Sequence, residues 1–69
     1  MAERFISLRD VLTRTSLSKT HTYRLINAGV FPRPVPLGPR RVAFIEREVN
    51  DWLLSRVEAR AGVEGVQHG

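Results

Sequence analysis

Leu17-Ser18-Lys19-Thr20-His21-Thr22-Tyr23-Arg24-Leu25-Ile26-Asn27-Ala28-Gly29 reads as one short helix with both ends marked. Ser18 is placed to cap the N-terminus by accepting from an orphan backbone N–H, and Gly29 is suited to the left-handed conformation that ends a helix. At about 100° per residue, Thr22, Leu25, Ile26 and Gly29 fall on one side, and Thr20, Arg24 and Asn27 on the other. Lys19 and Tyr23 flank that polar side. One packed face and one face of cations and hydrogen-bond donors suit insertion into a DNA groove. The rest of the chain reads as the frame that presents this helix.

Immediately upstream, Ser7-Leu8-Arg9-Asp10 has the S-x-x-D form of a capping box, which predicts a first helix over 8–13. Leu8, Val11 and Leu12 recur at i, i+3, i+4 and give it one buried edge. Phe5 or Ile6, before the cap, is placed to staple onto Val11. Thr13-Arg14-Thr15-Ser16 favours turns and caps over helix interior, and Leu17 anchors the turn. Two short helices joined by four or five residues make a helix-turn-helix, whose second helix lies in the major groove with its N-terminal residues at the bases.

Downstream of Gly29, residues 31–44 contain all four prolines of the chain. Proline cannot donate to a sheet ladder, so strands here must be short and at an edge. Val35 to Leu37 and Arg41 to Phe44 read as a hairpin with Gly38-Pro39-Arg40 at its tip. With Arg33, Arg40 and Arg41 around it, the hairpin has the shape and charge of a wing, laid along the phosphates or into the minor groove. The competing reading is a proline-rich loop whose arginines only keep it solvated. From Glu46 onward, Ile45, Val49, Trp52, Leu53 and the stem of Arg56 share one face of a third helix. Trp52 at this spacing reads as core rather than as a base-stacking ring. The acidic face of this helix is expected to point away from DNA. Leu54 and Val57 fall off the core face, either as a protein contact or as ordinary exposed apolar residues.

The expected fold is therefore mainly α with a small β-hairpin, a winged helix-turn-helix of three short helices and a two-stranded wing. The expected division is one domain over 1–59 and a disordered tail over 60–69, where glycines recur without periodicity.

Composition narrows the function. The absence of cysteine excludes disulfides and thiolate metal sites and fits a reducing cytoplasm. No apolar run approaches the roughly 20 residues needed to span a bilayer. Residues 1–47 carry nine Lys/Arg against three acids, a balance of +6, and residues 48–69 carry two against four, a balance of −2. Ten of the eleven cations are arginine, whose planar fork suits phosphates and guanine edges. A polyanion partner is the better reading than a merely solvated basic surface. No catalytic constellation is visible. His21 and His68 are far apart in sequence, no Gly-rich phosphate loop is present, and a metal site needs more ligands than these. His21, on the helix flank, reads as a partly exposed structural residue or as a phosphate contact. No enzyme activity, cofactor or metal is expected.

The order of elements resembles that of the AlpA-type prophage regulatory proteins, small excisionase-like DNA-binding proteins related to the MerR-type winged helix. The resemblance covers roughly residues 5–57. It is carried by Leu17-Ser18-Lys19-Thr20-x-Thr22-Tyr23-Arg24-Leu25-Ile26, by Gly29-x-Phe31-Pro32-x-Pro34-Val35-x-Leu37-Gly38, by Arg40-Arg41-Val42, and by Glu48-Val49-x-x-Trp52-Leu53. It implies sequence-specific binding of double-stranded DNA near mobile-element genes, either to activate transcription or to assist excisive recombination by shaping the DNA. By position it implies DNA contacts from Ser18, Lys19, Thr20, Tyr23 and Arg24, with Arg40 and Arg41 as wing contacts; Arg33 is expected as a further DNA contact from its place in the basic hairpin. Asn27 shares the polar face but lies at the helix exit, and is left out of the expected contacts. Self-association on DNA and contact with a recombinase or the transcription machinery are compatible with that role; a membrane is not. Two positions depart from the family. Ser16 stands where glycine is frequent, which predicts a less regular turn, and Thr22 where a large aliphatic is usual, which predicts looser packing of the recognition helix. A reading of a different class is a small adaptor whose basic face meets an acidic protein. Retention on duplex DNA as salt rises separates the two.

Overall fold

The computed structural model of the chain describes residues 3–62. The order is β1 (Phe5–Ile6), α1 (Leu8–Thr15), α2 (Lys19–Asn27), β2 (Val35–Gly38), β3 (Arg41–Ile45) and α3 (Glu46–Gly62). Three helices and a small antiparallel sheet are the parts of a winged helix-turn-helix.

Helix α1 starts where Ser7 accepts a hydrogen bond from the Asp10 amide at 3.1 Å, and it buries Val11 completely. It runs two residues past the expected end. Its stop is Ser16, which takes the left-handed conformation at φ 64° and donates its amide to the Leu12 carbonyl. Thr15 closes the turn by donating to the Val11 carbonyl and accepting from the Leu17 amide. The link between helices is thus three residues, 16–18, shorter than expected. The turn is regular, because Ser16 adopts the geometry that glycine usually supplies.

Helix α2 is capped by Ser18, which accepts from the His21 amide at 3.0 Å. Thr22 is fully buried, and its hydroxyl donates back to the Ser18 carbonyl at 2.9 Å. The smaller residue therefore leaves neither an orphan polar atom nor an exposed face at that position. The C-terminus is a Schellman motif. The Gly29 amide donates to the Ile26 carbonyl, the Val30 amide donates to the Leu25 carbonyl, and Gly29 has φ 78°.

The hairpin forms as expected, with a two-residue turn at Pro39–Arg40 and an irregularity between Pro36 and Gly38. The expectation of a two-stranded sheet is corrected by β1. The sheet order is β1-β3-β2, all antiparallel, with Phe5 opposite Ile45 and Ile6 opposite Phe44. A two-residue strand carries no readable alternation, and its partner lies far along the chain, so no local signal marks it. The stapling role falls to Ile6, which joins Val11 in the core, whereas Phe5 is half exposed. The proline-bearing β2 is confined to an edge, as its missing amides require.

Helix α3 follows β3 with no intervening residue, and the Glu46 amide donates to the Arg4 carbonyl at 2.8 Å. It is 17 residues long rather than short, since no glycine or proline interrupts the chain before Gly62. Residues 60–62 of the expected tail thus belong to the helix, and the remainder of that tail lies outside the described residues. Val49 is fully buried, with Trp52 and Leu53 packed against the core. The Trp52 indole N–H donates to the Val30 carbonyl at 2.7 Å. Phe31 stands edge-on to both Trp52 and Phe44, at centroid distances of 4.8 and 6.2 Å. This aromatic chain ties α3 and β3 to the segment leaving α2, which fixes the helix in the frame. Leu54 and Val57 are more than half exposed. No helix among the described residues is long and apolar enough to cross a membrane.

Candidate nucleic-acid interface

The exposed side of α2 is set by what its opposite side buries. Thr22 and Ile26 point into the core, with Tyr23 and Leu25 packed against it from either flank. That leaves Lys19, Thr20, Tyr23, Arg24 and Asn27 lining one open concavity on the outer side of the helix. Four of the residues expected from sequence are thus brought together: two cations, a hydroxyl and a phenol on about two turns of helix. Tyr23 is half buried, so its ring is anchored while its edge faces the concavity.

Asn27, expected on the polar face but left out of the contacts, lines the same concavity. Its place near the helix exit argued against it, but its angular position argues for it. Seven residues on from Thr20, it returns to within about 20° of Thr20 around the axis. That spacing was the signal available in the sequence.

Ser18 stands at the edge of the site in a structural role, its oxygen engaged by the His21 amide. Its hydroxyl proton stays available as a donor, since the cap uses the oxygen only as acceptor. Arg40 and Arg41 are exposed at the tip of the hairpin. Arg33 is set apart from them, at the base of β2, in a second concavity shared with Pro34, Val35, Ile45, Glu48 and Asp51. His21 is exposed and lines the cleft between α2 and α3 with Leu17, Leu25, Val30, Trp52 and Arg56, away from the concavity of Arg24.

Electrostatic pairing separates two groups of cations. Arg14 bridges to Glu46 at 3.0 Å, and Arg47 bridges to Glu3 at 2.6 Å and more loosely to Asp51. The Arg47 guanidinium is held protonated even more firmly than usual, first by its hydrogen bond to Glu3. These arginines fasten α3 to α1 and to the segment before β1. By contrast, Lys19, Arg24, Arg33, Arg40 and Arg41 form no ion pair among the described residues, and neither do Arg4, Arg9, Arg56 and Arg60, which lie off the α2 concavity. Their charge is unspent within the molecule and is directed to solvent. Among the described residues, no group of three or more His, Asp or Glu is placed to hold a metal ion.

Comparison with known proteins places this surface in a family context. The profile of the family described as Prophage CP4-57 regulatory protein (AlpA) matches residues 4–57. The chain is also similar to a protein of Enterobacteria phage P4 described as uncharacterized protein ORF88. The two are 38% identical over 58 residues, which is 84% of this chain and 66% of that protein. The chain therefore spans just under two thirds of the length of this relative.

Proposed function

The chain belongs to the AlpA family of prophage regulatory proteins, and from that premise we propose that it is a sequence-specific double-stranded DNA-binding protein acting as a transcriptional regulator of a mobile element. Helix α2 enters the major groove, with Lys19, Thr20, Tyr23 and Arg24 at the base edges and phosphates and Ser18 at the phosphate flank. The hairpin lies beside it, Arg40 and Arg41 on the backbone or in the minor groove and Arg33 nearer its base. The observation that carries the reading is the exposed face of α2, whose cations Lys19 and Arg24 form no ion pair among the described residues.

The experiment is a gel-shift and footprinting series on duplexes from the chain's own genomic neighbourhood across a salt range. A protected site that survives moderate salt, with log affinity falling linearly in log salt, supports the proposal. Absence of retention even at about 50 mM salt overturns it in favour of an acidic protein partner. The position of the protected site tells regulator from recombination factor: a promoter for the first, tandem sites beside an attachment sequence for the second.

A further inference from the structure

Asn27 lies in the middle of the exposed face of α2, although it is the last helical residue. Viewed down the axis, with Thr20 at 0°, Tyr23 falls at about −60°, Asn27 at about −20° and Arg24 at about +40°. Asn27 is thus bracketed by two residues of the same concavity. Its backbone does not fray away from the face, because the Schellman closure beginning at Ala28 is complete and Trp52 pins the Val30 carbonyl just beyond it. Its carboxamide has no hydrogen-bond partner in the chain among the described residues. Leaving a planar donor–acceptor fork unpaired on a surface of cations is consistent with a ligand that offers the matching pair.

Resting on the DNA-binding function above, we infer that Asn27 is a specificity-determining residue that reads adenine in the major groove, beside a guanine read by Arg24. The carboxamide N–H donates to adenine N7 and its oxygen accepts from the adenine N6 amino group, while the guanidinium donates to guanine O6 and N7. Arg24 and Asn27 are three residues apart, about 4.5 Å along the helix axis, against a base-pair rise of about 3.4 Å. A helix lying along the groove is inclined to the duplex axis, so this advance is an upper bound, and the adenine lies within one or two base pairs of the guanine. Thr20 and Asn27 together span about 10 Å, so the helix reads a stretch of at most about three to four base pairs.

Selection from a randomised duplex pool, with the full chain and its Asn27→Ala and Arg24→Ala variants, tests this. The wild-type chain is expected to enrich sites with adenine one or two base pairs from guanine. Asn27→Ala is expected to keep the guanine preference and lose about tenfold in adenine preference at that position, and Arg24→Ala to do the reverse. A second measurement leaves the protein unchanged. Replacing that adenine by 7-deazaadenine, which lacks the N7 acceptor, is expected to weaken wild-type binding several-fold and to leave Asn27→Ala unaffected. An unchanged motif for Asn27→Ala, or equal sensitivity of both proteins to the deaza base, overturns the assignment while leaving the DNA-binding function intact. If the wild-type chain enriches no site at all, sequence-specific binding itself falls and the assignment falls with it.

Discussion

Ser16 holds φ 64° without being glycine. A Cβ in the left-handed region costs about 1–2 kcal/mol, partly offset by the lower entropy of serine in the unfolded chain. Ser16→Gly is therefore expected to raise stability by about 0.5–1 kcal/mol, read as a higher urea midpoint at unchanged slope. A lower midpoint would mean that the serine side chain supports the turn. Thr22 shows a different compensation. Its hydroxyl is buried, yet it bonds to a carbonyl that already accepts a helical amide, so a polar side chain occupies a core position without an unsatisfied group. The residue scale also explains why Asn27 was hard to assign from sequence. Distance from the N-terminus of a recognition helix and angular position on it point in opposite directions for this residue, and only the angle carries over to the surface.

At the scale of elements, the proposed function divides the work of binding between the hairpin and α2. Arg40 lies in the turn and Arg41 opens β3, both exposed, so the contribution expected of them is charge to the backbone. Arg40→Ala combined with Arg41→Ala is expected to weaken binding to all duplexes alike and to lower the salt slope by roughly 2, measured by fluorescence anisotropy at several salt concentrations. A change in the preferred site would instead make the hairpin a reader of sequence. The elements legible in the sequence were those whose ends are chemically local. Ser7 and Ser18 bond to amides three residues away, Gly29 supplies its own conformation, and the prolines confine β2 to an edge. Strand β1 was not legible because its two residues are defined by Phe44 and Ile45 rather than by their neighbours. Nor was the stop of α1, because serine in the left-handed region gives no glycine signal. Of the candidate site, the polar face of α2 was legible from periodicity, while the choice of contacts on it came from the family resemblance. The separation of Arg33 from Arg40 and Arg41 was not legible, because it depends on which carboxylates α3 brings to the base of the hairpin.

The whole molecule depends on one small core to which every element but β2 contributes. Phe44 is fully buried at its centre, between Ile6 on the neighbouring strand and Phe31 on the segment after α2. Removing such a ring costs about 3–5 kcal/mol, which matches all that a core of this size usually supplies. Phe44→Ala is accordingly expected to abolish the cooperative thermal transition followed by far-UV circular dichroism. A retained sharp transition within a few degrees of the parent would show that the helices are stable apart from the sheet. The join between β3 and α3 has a further consequence, this time for length. With Glu46 directly after Ile45, each residue added there would turn α3 by about 100° and carry Val49 and Trp52 off their partners. A residue added at the hairpin tip would not rotate α3 in this way. Insertions and deletions in this lineage should therefore be tolerated better at the hairpin tip, while the spacing from Phe44 to Trp52 stays constant to the residue.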